Sequence, residues 1–178
     1  MMGAFGVEMG ARFTIGACLI AFAALPSIAA GERISLAVFR DWGAFREGEE
    51  NAPVHCFAIA EPPPETRAAG HGAFASVGSW PARRIRAQIA IHLSHAPRDG
   101  APVTLSIGDM SFALTAKGRD AWAADRHADA AIVAAMRSGS SMSVSSVTPQ
   151  GQPFADGYRL RGAASAIDSA LLACPIRR

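Results

Sequence analysis

The sequence lacks the motifs that usually announce chemistry. It has no Gly-x-Ser-x-Gly elbow, no Walker loop, no Cys-x-x-Cys pair and no His-Glu-x-x-His. An α/β-hydrolase nucleophile, a P-loop, a thioredoxin-type redox pair and a zincin site are each left without their signature. Surplus charge is missing too. Its 17 Lys and Arg against 15 Asp and Glu leave a net +2, which excludes a strongly basic nucleic-acid binder. The apolar run Phe13–Leu25 covers thirteen residues, short of the roughly 20 that a spanning helix needs. Cysteine is scarce, with three residues at 18, 56 and 174. No internal repeat is visible, and no cofactor or metal motif.

What is present begins with a targeting signal. Arg12 gives a positive n-region, Phe13–Leu25 an apolar h-region, and Pro26-Ser27-Ile28-Ala29 small residues at −3 and −1. Residues 1–29 are predicted to be a signal peptide, and 30–178 one β-rich domain. Met9 is a second candidate start. A lipoprotein reading, with Ile15-Gly16-Ala17 before Cys18, would put the apolar run on the wrong side of the cysteine. Cleavage after Ala29 removes Cys18, and the even count that remains favours a Cys56–Cys174 disulfide in an exported chain. Location follows as periplasmic or secreted, with no transmembrane span left after cleavage.

The rest alternates with period two. Ile34 to Arg40 reads as a strand that continues through Trp42–Phe45. Val54 to Ala60 is apolar on both faces, as in a central strand. Ala73–Trp80 is a short strand. In Arg84–Ser94, Ile85, Ala87, Ile89, Ile91 and Leu93 face one way. Val103–Ile107 and Met110–Leu114 flank Gly108-Asp109 as a hairpin. A helix is expected over Arg126–Ser138, capped by Asp125 and followed by Gly139. Strands at Ser141–Thr148 and around Tyr158–Leu160 follow, separated by a turn at Gln150–Pro153. A last helix starts near Ser165, where Ser165 and Asp168 resemble a capping box. Ile167, Leu171 and Cys174 share one face of it, and Pro175 stops it. The fold class is mainly β (α+β), a sandwich-like antiparallel domain with two short helices in the C-terminal third.

These elements carry a resemblance. Phe112-Ala-Leu114, Ala121-Trp122, Asp129–Met136, Gly139, Gly151, Asp156–Leu160, Gly162 and a helix closing on Cys174 follow in an order that resembles the invasion-associated locus B family of exported bacterial proteins. The resemblance covers about Val103 to Cys174. It implies a small β-rich periplasmic or secreted domain of no known catalytic activity. Where that family often has a Trp followed within a few residues by a cysteine, Trp42–Arg46 here has none, and Cys56 is the match.

Candidate sites are few. His92 and His95, three apart at a strand end, would point to opposite faces and make a poor metal pair. His127 and Asp129, with serines at 138, 140 and 141, hold the residue types of a triad but no nucleophile signature. Trp42, Trp80 and Trp122 could line a glycan site or simply pack. The clustered charge is arginine. Arg84 and Arg86 lie on the polar face of one strand and Arg159 and Arg161 on that of another, an anion-binding set if the two strands converge. The sequence therefore predicts a non-catalytic exported interaction protein whose partner is a protein or an envelope component. Two alternatives are a small periplasmic hydrolase using His127 or His92, and a binder of anionic glycan or lipid headgroups.

Overall fold

The computed structural model describes residues 32–49, 52–66 and 72–175. The expected signal peptide lies outside the described residues. Among the described residues, ten strands and two helices give the predicted mainly β (α+β) class. Strand β1 (Arg33–Phe39) and β2 (Trp42–Gly48) form a hairpin and do not make one continued strand. The reversal sits at Arg40, held at φ 58°, and Asp41. A far segment fixes it: Asp41 N–H donates to the Arg161 carbonyl at 3.2 Å, a contact that local alternation cannot reveal.

Strand β3 (Pro53–Ala60) lies between β2 and β4 (Phe74–Trp80), central as its apolar run predicts. A 3₁₀ turn (Pro81–Arg83) leads to β5 (Ile85–His92). The hairpin β6 (Val103–Ile107) and β7 (Met110–Lys117) pairs Ile107 with Met110 across Gly108-Asp109, as expected. Short β8 (Asp120–Ala123) bridges β7 and β5. Helix α1 (Arg126–Ser138) precedes the β9 (Ser141–Val147) and β10 (Pro153–Arg159) hairpin, and α2 (Ala163–Ala173) follows.

Every ladder is antiparallel, and together they make one ten-stranded sheet in the order β1-β2-β3-β4-β5-β8-β7-β6-β9-β10. The sheet curls until its ends approach. Trp42, fully buried, donates its indole Nε1–H to the Arg159 carbonyl at 2.8 Å. Its concave side holds a single main core, where Val77, Ile89, Ile91 and Leu105 meet Ile132 and Met136 of α1 and Ile167 of α2.

Both helices close this core. Asp125 caps α1 as predicted, its Oδ1 accepting from the His127 and Ala128 amides at 2.8 Å each. Gly139 follows α1 with an extended backbone. It is required there for size, since a Cβ would sit 2.7 Å from Ile107 Cγ2. Helix α2 departs from its expected start. It begins at Ala163, after Gly162 at φ 90°, and no side chain caps it. Asp168 faces outward to the Arg137 guanidinium at 2.6 Å and is not part of a capping box. Small residues, Ala163, Ala166 and Ala170, let α2 lie close on β1–β3, while Leu172 is 81% exposed. Cys174 ends the helix fully buried and bonds to Cys56 of β3, Cα atoms 5.8 Å apart, as the cysteine count predicts.

Candidate functional site

The convex side of the sheet carries what the sequence offered for binding. Between β4 and β5 the register shifts at Gly78/Trp80. Two non-glycine residues there adopt left-handed backbone, Arg84 at φ 53° and Ala87 at φ 54°. Such positions cost of order 1 kcal/mol or more and persist only where surroundings impose them. Here Ser79 Oγ accepts the Ala87 amide at 3.0 Å, and Arg84 N–H donates to the Pro81 carbonyl at 3.1 Å. This bulge projects Arg83, Arg84 and Arg86 outward. All three are exposed and have no ion-pair partner among the described residues.

Beside the bulge runs a column of rings. Phe45 stacks on Phe57 with centroids 5.6 Å apart, Phe57 on His55 at 4.7 Å, and His55 on Trp80 at 4.1 Å, tilted only 10°. Gly78 makes the space, because a Cβ there would sit 2.7 Å from His55 Nε2. Arg33 of β1 lies over the Phe57 ring at 5.3 Å and pairs with Glu47 at 2.9 Å. His55 Nδ1 is 3.4 Å from Glu47 Oε2. Burial pushes the His55 imidazole below its ordinary value, against the raising effect of Glu47. The sequence reading missed His55. The available signal was its place two residues from Phe57 on a strand read as wholly apolar.

The four predicted arginines do not share one surface through paired strands. β5 pairs with β4 and β8, and β10 with β9 alone. Arg159 and Arg161 are exposed but each is engaged. Arg159 is ion-paired with Glu65, and Arg161 Nε donates to Asp41 Oδ2 at 3.1 Å. They fasten loops at the sheet's closing seam, and Arg84 and Arg86 remain the outward pair.

The histidine and aspartate candidates have other partners. His92 Nδ1 is 2.7 Å from Asp120 Oδ1, and its ring stacks on Phe74. His95 Nδ1 is 3.0 Å from Ser94 Oγ. Asp129 is 5% exposed and accepts the Ile89 amide at 2.9 Å, tying α1 to β5. Burial raises its carboxyl above the ordinary range. His127 is exposed at the start of α1. Trp42 is interior while Trp80 and Trp122 are half-buried, so the three tryptophans do not line one surface. Among the described residues no three metal-ligating side chains gather, and no helix is long and apolar enough to cross a membrane.

No protein-family model matches the sequence, and no curated protein matches it. A solved structure does. The fold is similar to that of invasion associated protein B from Bartonella henselae, with a TM-score of 0.54 and 16% identity, over 78% of this chain and 96% of that one. The likeness spans nearly the whole of that protein, and what the two chains share is the fold.

Proposed function

We propose that this chain is a non-catalytic exported interaction protein, working in the periplasm or outside the cell on a protein or envelope component. One observation carries the reading: Arg84 and Arg86 stand exposed, without counter-charges among the described residues, on a backbone bulge beside the Trp80–His55 ring column. Guanidinium stays charged at all working pH, which suits anion recognition and not proton transfer. Strained backbone retained at an exposed position is a recurrent mark of a working surface. The disulfide and the fold shared with an invasion associated protein support export and an interaction role.

The same observation favours anionic glycan or lipid headgroups as the contacted chemistry. Replacing Arg84 and Arg86 together with Ser should weaken attachment to envelope fractions at low salt. It should also flatten the salt dependence of what remains. Unchanged binding in that double variant eliminates the arginine surface. Esterase, amidase and glycosidase substrates should show no turnover above background. Turnover abolished by His127→Ala or His92→Ala would establish the hydrolase alternative. Export predicts cleavage after Ala29 or Ala30, read by mass spectrometry of protein from its native host. Retention of Met1 or Met9 on the exported protein would refute it.

A further inference from the structure

A crevice of about 210 Å³ lies away from the ring column where three segments meet: Ser94–Ala96 after β5, Arg119 before β8, and Thr148–Gln150 between β9 and β10. Arg119 is half-buried and firmly held. Its Nε–H donates to the Leu93 carbonyl at 2.7 Å, and its own carbonyl accepts the Leu93 amide at 2.7 Å. Its Nη2, by contrast, is buried and has no acceptor among the described residues. A buried donor without a partner is costly, and a charged one more so. Thr148 lines the same crevice; its Oγ1 accepts the Gln152 amide at 3.2 Å, which leaves the hydroxyl proton to be donated. Among the described residues no carboxylate lines the crevice. Asp156, which is 2% exposed, directs Oδ2 at the Ser94 amide at 2.8 Å. Ala96 and Pro149 complete the wall with apolar surface, which lowers the local dielectric and strengthens any charge pairing.

We propose that this crevice binds an oxyanion, the carboxylate or phosphate group of a small ligand, with the Arg119 guanidinium as its charge partner and the Thr148 hydroxyl as a second donor. With its Nε already fixed, the planar guanidinium has the donor geometry that such oxyanions match. The crevice suits a phosphate ion or one small acid, not a polymer. The site is separate from the Arg84–Arg86 surface, and neither reading depends on the other.

The test titrates the full chain with inorganic phosphate, acetate and glucuronate at constant ionic strength, following backbone amides by NMR. A saturable shift at residues 94–96, 119 and 148–150 is expected with at least one of the three. Phosphate alone would identify a phosphoryl ligand; acetate or glucuronate would identify a carboxylate. Arg119→Gln should weaken the effect at least tenfold, and the Arg84→Ser/Arg86→Ser variant should leave it unchanged. Because Arg119→Gln also loses the Leu93 contact, Ala96→Trp provides a second arm. It fills the crevice with Arg119 intact and should abolish the shift without loss of folded signal dispersion. Absence of a saturable shift with all three anions overturns the assignment, as does undiminished affinity in Ala96→Trp.

Discussion

Asp129 illustrates how single side chains govern this protein. It is buried and accepts the Ile89 amide, and burial raises its carboxyl. A carboxyl raised on folding favours the folded state most at low pH. That contribution declines as pH rises from the ordinary aspartate range through the folded value. Asp129→Asn should therefore flatten the decline while keeping an acceptor for Ile89. Asp129→Leu should cost about 1–3 kcal/mol at neutral pH by orphaning that amide; equal denaturant midpoints for the two variants would contradict this. His55 has the opposite sign. Its imidazole is lowered on folding, so its contribution is intact above the ordinary value of about 6.5 and is lost as pH falls from there through the lower folded value. Thermal melts of His55→Phe should show weaker acid sensitivity in that window than wild type. Gly162 is constrained by geometry alone: φ is 90°, and a Cβ would collide with the Phe39 carbonyl. Gly162→Ala should lose more than about 1 kcal/mol, since both the backbone and its neighbour must move. Urea unfolding checks it.

At the scale of elements, the legible parts are those specified locally. The β6–β7 hairpin has its turn in Gly108-Asp109 and its face in Val103, Leu105 and Ile107. Helix α1 has its start in Asp125. The misread parts are specified from a distance. The β1–β2 reversal depends on Asp41 meeting Arg161, 120 residues later. The start of α2 depends on Gly162 fitting beneath Phe39. Whether the arginine strands meet is a matter of sheet order, and no pattern along the chain encodes that. The Arg84–Ala87 bulge was invisible for a related reason: alternation reads a strand as regular, and a bulge is a local exception to it. Both sheet edges also carry devices that discourage further pairing. β1 has a register shift between Ser35 and Ala37 plus an exposed Arg33, and β10 opens on Pro153 and points the Asp156 carboxylate inward. The covalent tie between elements is Cys56–Cys174. Replacing both with Ala should lower stability by about 4–5 kcal/mol on chain-entropy grounds. A loss under about 1 kcal/mol would show that α2 is held by packing alone.

For the whole molecule, closure of the sheet is the organising event. Trp42 contributes the indole bond to Arg159 across 117 residues, and it does so from inside the core. Trp42→Phe keeps much of the ring and removes the donor, leaving the Arg159 carbonyl unpaired. A cost of about 1–3 kcal/mol is expected in equilibrium unfolding. Little change would place the closing force in the flanking Asp41–Arg161 contacts instead. Closure and the disulfide both join early residues to late ones, and this has a consequence in time. Cys56 is made 118 residues before its partner. At about 5–20 residues per second, its thiol waits roughly 6–24 s for Cys174 to exist. The residues that bury its thiol, Ala170 and Cys174, belong to the last helix and are among the last to be made. The last helix then acts as a latch that is fastened only once synthesis is nearly over, and a chain interrupted before Cys174 would be left with a lone, reactive sulfur as the mark of its incompleteness.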